Sequence, residues 1–331
     1  RGETKNGKPH GKGTVTWPDG NRYTGEWQAG LHHGEGVFTW SNGDKYEGEW
    51  QKDRMHGRGI YVFADWRRYD GDWVNDQMHG LGTYYWPNGE KYEGEFVEGL
   101  YEGRGTYAWP DGKIYSGLWK DASRHGEGKM SWPDGRSYEG EWRFDLREGR
   151  GKMVWPDGRQ YEGEWKEGRM DGTGIYYFAD GSRFEGLFKE GRRTNKGIYY
   201  FNDRSLFKGK LINGLPSGKG IVIFDDGAKF HGFFGGDSHP VSGRYYYPDG
   251  TEYEGEVKDN LPHGEGKLFY PDGSKFSGMF LNGQPTASGK YTFADGSVYT
   301  GELAAGLPRG KGTVTYKTGI CYEGDFYNGN R

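Results

Sequence analysis

Fourteen times along this 331-residue chain an aromatic residue is followed two places later by glycine, and the fourteen sites are spaced 23 residues apart without insertion or deletion. The aromatics are Tyr23, Tyr46, Tyr69, Tyr92, Tyr115, Tyr138, Tyr161, Phe184, Phe207, Phe230, Tyr253, Phe276, Tyr299 and Tyr322, with glycines from Gly25 to Gly324. A fixed period of this length marks an array in which each unit packs on its neighbours. Residues therefore carry meaning by column. A feature repeated down a column belongs to the architecture before it belongs to a site.

Composition narrows what such an array can be. Apolar residues make up only 32%, with 63 glycines, so the chain lacks the aliphatic material for a thick core. Yet aromatics reach 17%, which separates it from disordered low-complexity chains. A net charge of −4 gives no basic surplus for nucleic acid, and no nucleic-acid partner is expected. Cys321 is the only cysteine, so no internal disulfide can form. No apolar run approaches the ~20 residues that would span a bilayer as a helix. The residues read as one continuous array over 1–331: a partial repeat at 1–10, then fourteen units of 23 residues, excerpted from a longer protein.

Within a unit, residues 11–17 and 22–28 alternate with period 2, and Pro18-Asp19-Gly20 between them carries turn chemistry. A three-residue loop places Val15 opposite Tyr23, Gly13 opposite Gly25 and Gly11 opposite Trp27, with Trp17 opposite Asn21 at the loop. That register collects the large apolar side chains on one face and leaves Thr14, Thr16, Arg22, Thr24 and Glu26 on the other. Because 23 is odd, the second turn must hold an even number of residues to keep the aromatics on one side. Its column reads Gly30, Asp53, Asp76, Gly99, Ala122, Asp145, Gly168, Gly191, Gly214, Asp237, Asn260, Gly283, Gly306 and Gly329, nearly all tolerant of a left-handed backbone.

Stacked hairpins of this kind predict an all-β fold: an elongated, curved and twisted single-layer antiparallel meander. With roughly 28 strands at about 4.8 Å each, it would be on the order of 130 Å long. The glycine columns at Gly11, Gly13 and Gly25 leave gaps into which rings can lie down. The aromatic face formed by Trp17, Tyr23, Trp27, Trp40, Tyr46, Trp50, Tyr138, Trp142, Tyr161 and Trp165 is first a core. A single layer cannot cover that face completely, so a groove for an extended or helical partner segment is expected on it. Open strand edges also make self-association an expectation.

The units Tyr46-Glu47-Gly48-Glu49-Trp50, followed by His56-Gly57-Arg58-Gly59, and Tyr138-Glu139-Gly140-Glu141-Trp142 resemble the MORN repeat, the membrane occupation and recognition nexus motif. The resemblance covers essentially the whole chain. It implies elongated single-layer β-sheets that do structural and partner-binding work, with catalysis left to other domains. It also implies cytoplasmic settings such as cytoskeletal or ciliary assemblies, with the membrane periphery as the alternative.

Apparent chemical motifs dissolve under the repeat. His10, His33, His56, His79, His125 and His263 share one column whose members lie about 9.6 Å apart, too far to converge on one ion. A turn-stabilising role is expected for them. Glu47 and Glu49 have the rough separation of a glycosidase pair. The pair recurs as Glu93/Glu95, Glu139/Glu141 and Glu162/Glu164, a row on an open sheet rather than one site. The segment Gly214–Gly220 has one residue too few, and no Ser/Thr after Lys219, for a phosphate-binding loop. Neither a cofactor, a metal nor intrinsic catalysis is expected.

Departures from the pattern concentrate in units eight to thirteen. The Glu after the motif glycine becomes Leu118, Leu187, Lys210, Phe233 and Met279. A second glycine column is broken by Asn195, Val241 and Ala287, and the hairpin glycine is replaced by Trp66 and Arg204. From 183 to 210 eight basic residues (Arg183, Lys189, Arg192, Arg193, Lys196, Arg204, Lys208, Lys210) face three acidic ones, and the register places Lys210 opposite Lys196. This stretch is a candidate site for an anionic phospholipid headgroup or an acidic protein segment. Three functions follow as expectations: a scaffold or spacer for protein partners, a membrane-surface adaptor, or the regulatory array of an enzyme whose catalytic domain lies outside this chain.

Overall fold

The computed structural model describes residues 2–236 and 239–329, which form 29 strands, numbered β1 to β29 in chain order, and no helix. The chain groups into two compact units, residues 1–170 and residues 171–331. Both units follow the same hairpin rules.

The expected register is the one observed. Strands β2 (Lys8–Thr16) and β3 (Arg22–Gln28) pair antiparallel with Gly11 opposite Trp27, Gly13 opposite Gly25 and Val15 opposite Tyr23. The Trp17 N–H donates to the Asn21 carbonyl at 2.9 Å, the Gly20 N–H donates to the Trp17 carbonyl at 3.0 Å, and Gly20 sits at φ +94°. This is a three-residue loop closed by a left-handed residue. The path survives where glycine is absent: Trp66 and Arg204 hold the same position at φ 70° and 71°.

The second turn has two residues. Gln28 lies opposite Leu31, the first residue of β4 (Leu31–Thr39), and Ala29 and Gly30 both take positive φ, 55° and 90°. These are type I′ turns, whose twist matches that of the strands they join. Asp237 of the turn column, like Arg1, Asn330 and Arg331, lies outside the described residues.

One element was invisible to the alternation argument. Between the pairs Gly25–Gly36 and Glu26–His33 the register of β3 and β4 steps by two residues. The step recurs between β5 (Lys45–Gln51) and β6 (Arg54–Val62), where Gly48 pairs with Gly59 but Trp50 pairs with Met55. Gly34 and Gly57 stand at these bulges with φ +58° and +60°. Two extra residues leave side-chain parity unchanged, so a period of 2 cannot report them. The column containing Gly11, Gly34 and Gly57 is therefore not a gap for rings, as the sequence suggested; it is needed for a left-handed backbone.

In several repeats a carboxylate clamps the bulge from the polar face. Glu49 Oε1 accepts the Arg58 N–H at 2.8 Å, Glu95 Oε1 accepts the Arg104 N–H at 2.9 Å, and Glu141 Oε1 accepts the Arg150 N–H at 2.8 Å. Asp72 does the same for the Leu81 N–H at 3.0 Å. The clamp and the glycine are lost together at Leu187 with Asn195, Phe233 with Val241 and Met279 with Ala287, and none of those three replacements takes a positive φ.

The ladder is cut short at the first and third of these places, whereas beyond Val241 five pairs remain. Strand β18 (Arg192–Tyr200) pairs with β19 (Leu206–Ile212) only through Tyr199–Phe207 and Tyr200–Leu206. Strand β26 (Gln284–Thr292) pairs with β27 (Val298–Ala304) only through Tyr291–Tyr299 and Thr292–Val298. The expected opposition of Lys196 and Lys210 is consequently not made. Without the left-handed residue at 195, the first half of β18 does not come into register with β19.

Candidate functional site

The aromatic face has a sealed layer and an open one. From Tyr23 to Tyr299 every ring of the Tyr23 column is at most 1% exposed, and the Trp27 column, through Leu211, Val257, Leu303 and Phe326, stays between 1% and 7%. Each tyrosine lies flat over a glycine pair; a Cβ on Gly36 or Gly59 would run into the ring of Tyr23 or Tyr46. The Tyr23 hydroxyl donates to the Glu26 carbonyl at 2.9 Å and the Tyr46 hydroxyl to the Glu49 carbonyl at 2.9 Å. Each indole N–H closes onto a glycine carbonyl fourteen residues back, as Trp50 does to Gly36 at 3.2 Å.

Trp50 stands edge-on between Tyr46 at 5.1 Å and Tyr23 of the preceding unit at 5.5 Å. Trp73 repeats the arrangement between Tyr69 at 5.1 Å and Tyr46 at 5.4 Å. Such pairs contribute about 0.5–1.5 kcal/mol each beyond area burial and couple successive repeats within the first unit, from Tyr23–Trp50 to Tyr138–Trp165. Of the face residues anticipated from sequence, Tyr23, Trp27, Tyr46, Trp50, Tyr138, Trp142, Tyr161 and Trp165 belong to this sealed layer.

Trp17 and Trp40 belong to the open layer, beside the three-residue turns. Their column is aromatic throughout: Trp17, Trp40, Phe63, Trp86, Trp109, Trp132 and Trp155 in the first unit, then Phe178, Phe201, Phe224, Tyr247, Tyr270, Phe293 and Tyr316 in the second. Every one is half-buried. In the first unit the row interleaves with the Phe38–Tyr107 column into one ribbon of rings: Phe38–Trp40 at 4.5 Å, Trp40–Tyr61 at 5.3 Å, Tyr84–Trp86 at 4.4 Å, Trp86–Tyr107 at 5.5 Å. The Trp17 column is the accessible side of this ribbon, while Tyr84 within it is buried.

A fifth column crosses the same face and was not singled out in the sequence: Pro9, His32, Met55, Met78, Tyr101, Arg124, Arg147, Met170, Arg193, Pro216, His239, Pro262, Pro285 and Pro308. His32 stacks on Tyr23 at 4.0 Å, and its Nδ1 lies 3.3 Å from Asp53 Oδ1. Burial lowers its pKa, and Asp53 offsets part of the shift. Arg124, Arg147 and Arg193 lay their guanidinium groups over Trp142, Trp165 and Phe178 at 4.5, 4.3 and 4.6 Å. Burial pushes the pKa of Arg147 and Arg193 down from the ordinary value, though both stay charged at neutral pH. A column of such mixed chemistry shows no hydrophobic pattern, which is why alternation did not reveal it.

The basic stretch is dispersed. Arg193 is on the aromatic face. Arg183 covers the Tyr200 ring at 3.9 Å, Lys189 and Arg192 are paired beside the Glu190-Gly191 turn, and Arg204 sits in a three-residue turn. Lys196, Lys208 and Lys210 fall in polar-face columns and are exposed. The histidine column flanks the bulges rather than the turns, with the His33 residue opposite Glu26 and the His56 carbonyl receiving the Tyr46 hydroxyl at 3.4 Å. Among the described residues no three His, Cys, Asp or Glu side chains gather at one point.

An open antiparallel meander of identical hairpins, with one face of stacked rings, defines a repeat-scaffold class of protein. The family model "MORN repeat" matches fourteen consecutive segments, from 1–22, 23–45 and 46–66 to 276–298 and 299–321, including a short match at 241–252. The chain belongs to the MORN-repeat family, a non-enzymatic, protein-interacting repeat type. A comparison with curated proteins gives no match. Among solved structures, the TCP domain of Drosophila melanogaster SAS-4 with a proline-rich motif of Ana2 is similar at 16% identity, covering 47% of this chain and 85% of that one, TM-score 0.31. The TCP10 domain of Danio rerio CPAP with a STIL peptide is similar at 16% identity, covering 88% and 98%, TM-score 0.20. Virginiamycin B lyase from Staphylococcus aureus is similar at 11% identity, covering 88% and 83%, TM-score 0.13. At these TM-scores no property of those proteins transfers to this chain.

Proposed function

We propose that this array is a non-catalytic scaffold that binds extended or helical segments of protein partners along its open row of rings, in a cytoskeletal or ciliary assembly of the cytoplasm. The observation that carries the reading is the Trp17 column itself. Its rings stay partly open to solvent in repeat after repeat, although the sealed layer beneath already supplies the hydrophobic core. Aromatic rings lose little entropy on docking and dominate binding energetics.

Affinity capture from the native cell, followed by titration of the captured segment, tests it. Trp86→Ser, Trp109→Ser and Trp132→Ser together should weaken binding by about a hundredfold or more, while Glu93→Lys with Glu139→Lys on the polar face leaves it within about threefold. Unchanged binding in the tryptophan variant would exclude the row as the docking surface.

A second reading draws on the polar face of the second unit, where Lys196, Lys208 and Lys210 are exposed. It makes the stretch an adaptor for an anionic phospholipid surface or phosphoinositide headgroup. Sedimentation with phosphatidylserine vesicles separates the two: Lys196→Glu/Lys208→Glu/Lys210→Glu should abolish a salt-sensitive association that the tryptophan variant retains.

A further inference from the structure

We infer that Arg147 and Arg193 are each a subsite for a carboxylate, delivered to the aromatic face by an Asp or Glu side chain of the bound partner segment. The inference rests on the reading of that face as a docking surface and specifies what the partner must carry.

The array contains its own precedent. Arg124 occupies the same column position and takes a carboxylate from within the chain: its Nε donates to Asp145 Oδ1 at 2.8 Å and its Nη2 to the Asp145 carbonyl at 3.0 Å. His32 faces Asp53 from the same relative position. Arg147 is built identically except for the acid. Its ring contact with Trp165 matches that of Arg124 with Trp142, and its Nη2 donates to the Gly168 carbonyl at 2.6 Å. Glycine at 168 has no side chain to complete the pair.

Arg193 is the second case, with Gly214 in place of the acid. Its Nη1 is buried and has no hydrogen-bond partner. Among the described residues neither arginine makes an ion pair. A guanidinium taken partly out of water without a counter-ion is costly, and one planar carboxylate relieves it through a bidentate fork. Each subsite offers a single fork bordered by rings; Arg124 and Arg136 act on Arg147 through their charge, Arg124 is already engaged by Asp145, and the precedent within the chain is a carboxylate. That favours a monovalent carboxylate over phosphate.

The test follows the arginine Nε–H resonances of the whole chain during titration with 3-phenylpropionate, its amide and inorganic phosphate. The expected result is a saturable shift of the Arg147 and Arg193 signals with the carboxylate, no shift with the amide, and an unresponsive Arg124. Gly168→Asp rebuilds the Asp145 arrangement at a position whose φ of +78° is close to the 67° that Asp145 adopts and where a Cβ meets nothing. It should weaken the response of Arg147 by about tenfold or more, corresponding to one charge-assisted hydrogen bond, and leave that of Arg193 unchanged.

Equal shifts with the amide, an equal response at Arg124, or a stronger response to phosphate would overturn the inference in wild-type protein, whatever the variant does. If a partner segment binds through the tryptophan row while the probe leaves both arginines unmoved, the subsites fall and the scaffold reading stands.

Discussion

Tyr46 and the glycines beneath it form a single object. The ring covers Gly48 and Gly59, and no Cβ can be placed on Gly59 without entering it. Gly59→Ala should therefore destabilise the fold by about 2–4 kcal/mol, as overpacking with a displaced buried ring does, read as a lowered urea midpoint at unchanged slope. Tyr46→Phe removes only the hydroxyl bond and should cost about 1 kcal/mol, in keeping with Phe184, Phe207, Phe230 and Phe276 at equivalent places. Trp66 is the reverse case. It holds φ 70° and is 80% exposed, so Trp66→Gly should raise the midpoint by about 1 kcal/mol.

His32 gives the residue scale a pH signature. Its folded-state pKa lies below the ordinary 6.5, chiefly through burial. Above that value both states are neutral and the shift contributes nothing. As pH falls below it, the unfolded chain takes the proton more readily, and stability declines until the folded pKa is passed. Thermal melts across that range should show the decline in wild type, and His32→Met, which copies Met55 and Met78, should flatten it.

At the scale of the element, the bulge and its carboxylate clamp decide how completely neighbouring hairpins pair. Leu187→Glu with Asn195→Gly restores both halves at β18. Amide exchange of residues 196–198 and 208–211 should then slow by about tenfold or more, as a lengthened ladder predicts, whereas either change alone should achieve less. Exchange in those peptides that is already as slow as in β5 and β6 of the wild type would contradict the short ladder. The turns were legible in the sequence because Pro-Asp-Gly and Ala-Gly carry backbone demands in their residue types. The bulge was not, because two inserted residues preserve the alternation that identified the strands. The glycine at 34 and the Glu at 26 were visible as columns, but their joint purpose needed coordinates.

For the whole molecule, tyrosine burial sets a limit at high pH. Burial pushes the Tyr253 hydroxyl up to about 12 and raises Tyr23, Tyr46, Tyr69, Tyr92, Tyr115 and Tyr138 as well. The stability these hydroxyls contribute is complete below pH 10, their unfolded value, and is lost as pH rises towards the folded one. The seven column positions from 23 to 161 are all tyrosine, whereas four of the next six are phenylalanine. Residues 1–170 should therefore unfold at lower alkaline pH than residues 171–331, which proteolysis sampled along a pH series would reveal.

The sequence by itself determined the repeat, the two turns, the strand register, the sealed aromatic face and the family. Each follows from local rules that a 23-residue period states many times over. Tertiary structure decided which rings remain open to solvent, where the ladder falls short and which cations lack an acid. Those depend on what lies across the strand or one unit away, at spacings such as Arg124 to Asp145, and the physics of a buried charge is set by that neighbour and not by its own column.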